Sequence, residues 1–165
     1  MRDAPLLLPN LDTPDMNPDC RFLEDLIHHD IPLTRTMALQ VRSWDNHQLR
    51  LALPLAPNVN HAGTMFGGSL YSLCVLAGWG WLTLRLRGTD LAQGHIVIKG
   101  GQIEYPLPVA EEAVAVCAAP SDEEWNKFET LYRRRGLARL YLDIRIPAAS
   151  GADAVHLRGE YVVHK

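Results

Sequence analysis

The sequence predicts an α+β domain in which a curved antiparallel sheet of five or six strands wraps around one long central helix. Residues 51–84 contain no Asp, Glu, Lys or Arg, and the second half of that stretch reads as a helix apolar on every side. Such a helix is typical of the buried centre of a domain. Alternating apolar and polar residues before and after it indicate strands. With 165 residues, the chain is long enough for one such core.

The composition is that of an ordinary globular protein, with 47% apolar and 21% charged residues. The net charge of -3 gives no electrostatic reason to expect a nucleic-acid partner. Cys20, Cys74 and Cys117 are odd in number and widely spaced, so they predict neither a disulfide framework nor a zinc site. Pro5 and Pro9 interrupt the leucines that could form a secretory signal. We therefore expect a cytoplasmic protein without a metal or other cofactor.

The domain is expected to cover residues 19–165, after a proline-rich lead-in. Four prolines in residues 1–18 predict that this lead-in is poorly ordered. Asp19 is placed to cap a first helix over residues 20–29, and Pro32 is placed to end it.

Strands and two further helices fill the rest of the domain. Asp45-Asn46 suits a tight turn between the first two strands, and Gly100-Gly101 predicts a bulge or bend in the third. The long apolar helix is predicted over residues 66–87. Another helix opens at Ser121 with acids in its first turn and closes with arginines before Gly136. The alternating segments are residues 37–44, 48–55, 95–105, 112–118, 137–147 and 154–164.

A sheet curled around a helix that is apolar on all sides buries both elements in one small domain, and this arrangement is the hot-dog fold. The alternative is a membrane span, since residues 63–84 are long enough to cross a hydrocarbon layer of about 30 Å. Five glycines and several hydroxyl residues dilute the apolarity of that segment. We therefore favour the buried helix and expect no membrane association.

The start of the long helix carries Gly67 and Gly68. The first N–H groups of a helix have no partner inside it and lie at the positive end of its dipole. Because glycine lets another molecule approach closely, this end is suited to bind a carbonyl oxygen or an anion. The alternative is that both glycines serve only close packing between helix and sheet.

One motif carries a family resemblance. It reads NVNHAGTMFGGSLY over residues 58–71, followed by LAGWG over residues 76–80 and IEYPLPV over residues 103–109. This pattern resembles the YiiD C-terminal thioesterase family, from about residue 20 to the end of the chain. The resemblance implies the hot-dog fold and a thioester substrate, an acyl group carried by coenzyme A or by acyl carrier protein.

The wider group of hot-dog thioesterases carries an Asn or Gln, a His-Gly-Gly six residues later and a carboxylate nine residues past that His. The matching positions here are Asn60, Phe66-Gly67-Gly68 and Val75. The resemblance implies that Gly68 N–H holds the oxyanion and that Asn60 orients substrate or water. Because Val75 replaces the carboxylate, we expect any hydrolysis to be slow and to lack a base on this helix.

Three further side chains are candidates near the glycines. Ser69 and Ser72 share a helix stripe with Val75, and either could position a water molecule. His61 is the only titratable side chain in the uncharged stretch apart from Tyr71 and Cys74, and its imidazole could act as a base. These candidates have structural alternatives. A serine in a helix can bond the carbonyl four residues back, and His61 can simply face solvent. The alternative for Asn60 is that it bonds within its own loop.

The substrate is expected to enter a narrow apolar channel, with its carbonyl at Gly67 and Gly68. The side chains beside the channel are Leu70, Leu73 and Trp79. Arg133 and Arg135 are candidates to hold the phosphates of coenzyme A or of an acyl-carrier arm, because arginine suits phosphate oxygens. The alternative for both arginines is a solvated helix end.

The helix and the sheet edge of a single copy would leave apolar surface exposed, so we expect a homodimer or a dimer of dimers. Two other functions remain open from the sequence. A non-catalytic acyl-thioester-binding module would explain Val75. An enoyl-thioester hydratase or dehydratase would keep the fold but change the reaction.

Overall fold

The computed structural model describes residues 17–165. The predicted lead-in therefore lies outside the described residues, apart from its last two. Within the described part, the helices are α1 (Pro18–Asp30), α2 (Leu33–Thr36), α3 (Gly67–Leu86) and α4 (Asp122–Arg135), with a 3-10 turn at Ala56–Asn58. The strands are β1 (Gln40–Trp44), β2 (Gln48–Leu53), β3 (His95–Glu104), β4 (Ala113–Ala118), β5 (Leu137–Pro147) and β6 (Asp153–His164).

The six described strands form one sheet in the order β1-β2-β4-β5-β6-β3. Every neighbouring pair is antiparallel, and α3 contacts five of the six strands. The sheet therefore wraps around α3, as the alternating pattern and the uncharged stretch predict. The fold is α+β and of the hot-dog type.

Most of α3 is buried, which confirms the predicted central helix almost to the residue. Its side chains at Leu73, Cys74, Ala77 and Leu82 form part of the core. One stripe along α3 is only half-buried, and it follows the three- and four-residue spacing of a helix face: Gly68, Ser72, Val75, Trp79 and Thr83. No helix in residues 17–165 combines the length and apolarity needed to cross a membrane.

Tyr161 of β6 fixes α3 against the sheet. Its hydroxyl donates a hydrogen bond to the carbonyl oxygen of Val75 at 2.9 Å. The ring reaches the helix backbone over Gly78, where a Cβ atom would lie 2.2 Å from the Tyr161 hydroxyl. Only glycine allows this approach, so the pair sets the position of the half-buried stripe.

Three boundaries differ from the prediction by more than one residue. Strand β2 ends at Leu53 rather than at Leu55, because the backbone of Leu55 is already helical before the 3-10 turn. The cap of α1 is Asn17, whose side chain accepts a hydrogen bond from Asp19 N at 2.9 Å, and the helix begins at Pro18. Residues 37–39 are not strand, because α2 precedes them and Ala38 has φ 55°. The buried Thr34 hydroxyl, which donates to Ile31 O at 2.7 Å, holds this turn in place of the alternating pattern.

Other predicted details are confirmed. The register of β3 against β6 shifts between Ile98 and Gly100, which is the expected bulge. Helix α4 has a complete capping box between Ser121 and Glu124 and ends at Gly136 with φ 66°.

The two edges of the sheet differ. At β1, the Glu24 carboxylate accepts from Val41 N at 2.7 Å, and Asn17 Nδ2 donates to Trp44 O at 3.2 Å. Side chains of α1 and its cap thus cover this edge. At the other edge, β6 is the only strand beside β3 among the described residues, and β3 exposes Val97.

Candidate active site

The first turn of α3 begins at a fixed point of the backbone. Phe66 precedes the helix in an extended conformation and gives no side-chain cap. Its N–H donates to Asn58 O at 2.7 Å, and Met65 N donates to Val109 O at 2.7 Å. These two bonds hold the start of α3 between the preceding loop and the segment after β3.

Gly67 N and Gly68 N have no acceptor among the described residues, whereas the next two amides both donate to Phe66 O, Ser69 N at 3.0 Å and Leu70 N at 3.1 Å. Two adjacent donors therefore remain free at the positive end of the helix dipole. This is the arrangement that binds a carbonyl oxygen and stabilises the negative charge that develops on it.

Two aromatic side chains flank the glycine pair. The Phe66 ring lies so close that a Cβ on Gly68 would be 2.3 Å from its Cε1 atom. The Tyr105 hydroxyl donates to Gly67 O at 3.0 Å. Burial raises the pKa of Tyr105, so its hydroxyl stays protonated and keeps donating at neutral pH.

A cleft of about 410 Å³ opens beside Gly68. Its walls come from α2, the 3-10 turn and the first two turns of α3, and none of its lining side chains is charged. The lining residues are Leu33, Thr36, Met37, Pro57, Asn58, Phe66, Gly68, Ser69 and Ser72. We call it the glycine cleft.

A second, apolar cleft of about 210 Å³ continues from the first along α3. The two clefts share Leu33, Met37 and Ser72. The second is also lined by Ile31, Thr34, Tyr71, Val75 and Leu76. We call it the Val75 cleft.

Asn60 uses its side chain within its own loop. The Asn60 oxygen accepts from Ala62 N at 2.8 Å and Thr64 N at 3.2 Å, and its nitrogen donates to Thr64 Oγ1 at 2.9 Å. His61 is exposed in the same loop. The Asn60 side chain therefore stabilises its own loop. Contact of Asn60 or His61 with a substrate stays a prediction.

The predicted serines and apolar residues separate into two groups. Ser72 lines both clefts, and its hydroxyl donates to Gly68 O at 2.8 Å. Ser69 lines the glycine cleft. Leu70 and Leu73 are buried in the core, while Trp79 lines a third cleft farther along α3. From α3, three members of the half-buried stripe, Gly68, Ser72 and Val75, line these clefts, whereas the two leucines do not.

Arg133 and Arg135 lie far from Gly67 in the same chain. Arg133 pairs with Asp90, just before β3, whereas Gly67 contacts Tyr105, just after β3. The ten residues of β3 span about 30 Å. Arg135 lines a groove between α4 and β5 that also contains Lys127 and Arg139. One copy of the chain therefore does not bring these arginines to the glycine pair.

The cysteine on α3 is not a nucleophile in this site. Cys74 is buried in the core, and desolvation raises its pKa to about 12. Since the thiolate is the reactive form, its thiol is unreactive at neutral pH.

Two residues of the site were not predicted from the sequence. Tyr105 was part of the family pattern but carried no signal for a contact with Gly67. Asn58 is buried, and its Nδ2 donates to Met37 O at 2.9 Å and Pro54 O at 2.8 Å. Asn60, two residues later in the motif, matches the thioesterase spacing, but it is Asn58 that lines the glycine cleft. Spacing alone does not distinguish the two asparagines.

The free amide pair, the uncharged clefts and the hot-dog fold are consistent with the thioesterase class. The model of the family described as "Putative thioesterase (yiiD_Cterm)" matches residues 20–165. The chain belongs to this family.

Solved structures share the fold. One is a protein of unknown function from Chlorobaculum tepidum TLS, with 30% identity over 88% of this chain and 94% of that chain and a TM-score of 0.82. A "putative thioesterase" from Shewanella oneidensis has 27% identity over 89% and 98% of the two chains, with a TM-score of 0.74. A thioesterase from Haemophilus influenzae has 14% identity over 86% and 89%, with a TM-score of 0.63, and shows the fold alone.

Proposed function

We propose that this protein hydrolyses an acyl thioester of coenzyme A or acyl carrier protein, with the thioester carbonyl bound by Gly67 N–H and Gly68 N–H. The observation that carries the proposal is the pair of adjacent amides without acceptors among residues 17–165, beside a cleft with no charged lining. Membership of a thioesterase family supports the reaction type. The carbonyl is polarised by the two donors and becomes an oxyanion as water adds.

The water must attack without a carboxylate on α3. The C–O bond forms, the C–S bond breaks, and one proton of the water ends on the departing sulfur. Ser72 in the cleft wall is the proposed contact for this water, with Asn60 and His61 as further candidates from the neighbouring loop. General-base assistance is worth about 10²–10⁴-fold, so hydrolysis through positioned water alone is slow.

Two substitutions separate the loop candidates. His61 is exposed, so His61→Ala should fold normally, and loss of thiol release would assign the base to its imidazole. Asn60→Ala removes hydrogen bonds that hold the loop. A lower kcat with unchanged binding of an inert thioether analogue would assign Asn60 a role beyond the loop. Unchanged kcat in both variants would exclude both residues from the mechanism.

We propose that the protein works as a homodimer joined at β3. The β1 edge is covered by hydrogen bonds from α1 and its cap, whereas β3 offers an open edge, and open edges pair with further strands. Exposed apolar side chains accompany β3 and the start of α3: Phe66, Tyr71, Val97, Tyr105 and Leu107. A dimer of dimers would use additional surface.

The dimer also gives Arg133 and Arg135 a route to the substrate. If β3 pairs antiparallel with its counterpart, the end of β3 near Arg133 meets the end near Tyr105 of the second copy. The arginines of one copy would then lie near the glycine pair of the other. That arrangement suits a substrate whose phosphates lie at a distance from the thioester, as in coenzyme A.

The experiment is a panel of acyl-coenzyme A and acyl-carrier-protein thioesters of different chain length, with thiol release measured. Release that saturates with substrate, and that is absent from protein denatured by heat, is the expected result. Conversion of an enoyl thioester to its hydroxyacyl form without thiol release would instead indicate a hydratase. The three described cysteines are free thiols, which is consistent with the proposed cytoplasmic location.

A second candidate function is favoured by Val75. Its apolar side chain lines a cleft, at the position that the resemblance assigns to the carboxylate of hot-dog thioesterases. A module that binds an acyl thioester without hydrolysing it would have this composition. Tight binding of acyl-coenzyme A with no thiol release at any chain length would establish that function and exclude hydrolysis.

A further inference from the structure

We infer that the edge of β5 beside α4 is a docking site for an extended, acidic segment of a partner protein, which adds a strand there. This inference goes beyond the proposed hydrolysis and does not depend on it. Strand β4 pairs with β5 at only two positions, opposite Ile144 and Arg145, and the chain then leaves the sheet and continues into α4. Residues 137–141 of β5 therefore have β6 on one side and, within residues 17–165, no strand on the other.

This edge offers free hydrogen-bonding groups of the backbone. Alternate residues of an antiparallel strand direct their N–H and C=O groups to opposite sides. The groups of residues 137–141 that point to β6 are paired in the ladder between the two strands. In the described part of the chain, these residues make no backbone hydrogen bond beyond that ladder. An added strand would pair the groups that point away from β6, as happens when a peptide joins the edge of a sheet.

A groove of about 500 Å³ follows this edge between α4 and β5. All five residues 137–141 line it. Successive side chains of a strand point to opposite faces, so a groove that contacts all five runs along the strand edge. Its other wall is the face of α4 from Glu124 to Arg135, which is about 16 Å long. Five extended residues span about the same length.

The floor of the groove is apolar. Phe128 and Leu140 are buried, and Leu131 is half-buried against the core. Leu137 and Tyr141, each 47% exposed, lie at the two ends of the edge. On an added strand, the side chains that face α4 would contact this floor, and apolar residues at those positions would be removed from water.

The rim of the groove is basic. Lys127, Arg135 and Arg139 line it, and Glu124 is the one acid among its lining residues. Arg139 lies 3.4 Å from Glu160, whereas Lys127 and Arg135 pair with no carboxylate in residues 17–165. This charge favours an acidic segment and opposes pairing of the edge with the same edge of a second copy. An acid opposite Arg139 would form a cross-strand pair of opposite charge.

The probe is the acetylated and amidated heptapeptide ETVEVTE. It presents a glutamate to Arg139, valines to the apolar floor and a glutamate at each end of the groove. Its sequence is palindromic, so both strand directions give the same contacts. The matched control is KTVKVTK, which has the same pattern and the opposite charge. In an NMR titration of the full chain at low salt, we expect ETVEVTE to bind and KTVKVTK to bind about tenfold more weakly or less.

Two charge reversals on α4 test the position of the site. Lys127→Glu changes an exposed residue of the rim, and the Kd for ETVEVTE should rise about fivefold to tenfold. Arg134→Glu is the matched control, because Arg134 is exposed on the same helix but does not line the groove, and the Kd should change less than about twofold. Arg135 stays unchanged in both variants because it is also the proposed phosphate contact. Circular dichroism checks that both variants are folded.

Amide hydrogen exchange separates strand addition from simple attraction between charges. At saturating ETVEVTE, alternate amides of the edge, either Ala138 and Leu140 or Leu137, Arg139 and Tyr141, should exchange about tenfold more slowly or less. Binding that leaves their exchange unchanged would overturn strand addition. Absence of binding, equal binding of both peptides, or equal effects of the two charge reversals would overturn it as well.

The same measurement on the protein without peptide detects other occupants of the edge. Slow exchange that is lost when residues 2–16 are deleted would mean that the chain's own first residues cover it. Slow exchange that increases with protein concentration would mean pairing with a second copy. Either result would overturn a site for a partner protein. None of these outcomes depends on thiol release, so the proposed hydrolysis is tested separately.

Discussion

Helices α3 and α4 differ in how their first turns are capped. At α4, Ser121 Oγ accepts from Glu124 N, and the Glu124 carboxylate accepts from Ser121 N at 3.0 Å. Acidic residues fill its first turn, as the helix dipole favours. At α3 there is no side-chain cap and no acid, and the amides of Gly67 and Gly68 are free among the described residues.

The difference agrees with the proposed roles of the two helix starts, stability at α4 and binding at α3. The same chain builds a complete capping box at α4, so the open start of α3 is not explained by helix formation. Buried or partly buried donors normally find partners. The uncapped start of α3 beside the glycine cleft is therefore where we propose that an acceptor of the substrate binds.

Removal of one free amide should have the largest effect. Gly67→Pro deletes the N–H at the first position of α3, where proline is tolerated, and the extended backbone of Phe66 suits a following proline. Loss of one oxyanion donor typically costs about 10²–10³-fold in kcat, and we expect a decrease of that size in thiol release.

Gly67→Ala is the matched control for that substitution. It adds the same Cβ, which would lie 3.7 Å from Tyr105 in ordinary contact, but it keeps the N–H. We expect near-normal kcat. Equal losses in the proline and alanine variants would mean that space rather than the amide matters at this position.

A base restored to α3 should have the next largest effect. Val75→Asp places a carboxylate at the position that the family resemblance assigns to the thioesterase acid, and we expect kcat to rise about 10²-fold, at the lower end of general-base assistance. The apolar cleft disfavours the charged form and raises the pKa of the new carboxyl. The gain should therefore appear as pH rises through that pKa and be lost at lower pH. A folded variant that binds substrate without any gain at high pH would contradict a water-only mechanism.

The comparison of the two sheet edges predicts a smaller effect on assembly. Val97→Lys introduces a positive charge on the open β3 edge. In the proposed dimer, the twofold axis brings the two substituted lysines to the same interface. One pair of like charges across two strands costs up to about 1 kcal/mol, so the dimer should dissociate up to about fivefold more readily. Ser43→Lys on the covered β1 edge is the control, with no expected change. Light scattering that finds a monomer for the unmodified protein at micromolar concentration would remove the dimer.

The smallest effect is expected at α4. Ser121→Ala removes the cap and should lower the free energy of unfolding by about 1 kcal/mol, with no change in kcat. Hydrogen bonds from Ser121 lower the pKa of Glu124. The stabilisation by this carboxylate is therefore present above its ordinary pKa of about 4.3 and is lost as pH falls through the lowered pKa. Thermal unfolding of the unmodified protein and of Ser121→Ala at pH 7 and at pH 3 measures the loss of stability and its dependence on pH. A larger difference in stability between the two proteins at pH 3 than at pH 7 would contradict this account.

The sequence predicted the fold well because its signals were local and strong. The uncharged stretch marks α3, and the Ser121 and Gly136 signals mark the ends of α4. The start of β1 was missed because α2 depends on the Thr34 hydroxyl contact rather than on periodicity. That contact cannot be read from a hydrophobic pattern.

The site was less predictable than the fold. The free amides of Gly67 and Gly68 follow from their place in the motif. The cleft walls from Ile31 and Leu33 do not, because α2 brings them to α3 only in three dimensions. Asn60 matched a spacing, and spacing cannot show that its amide is already bonded within the loop.

The central claim is that the amides of Gly67 and Gly68 polarise the substrate carbonyl, and infrared spectroscopy tests it most directly. An acyl-coenzyme A analogue with a ketone in place of the thioester, labelled with ¹³C at the carbonyl, would be bound to the unmodified protein, to Gly67→Ala and to Gly67→Pro. The account predicts a carbonyl stretch below its value in water for the first two, and a partial return toward that value in Gly67→Pro. A bound carbonyl with the same frequency in all three proteins would contradict it.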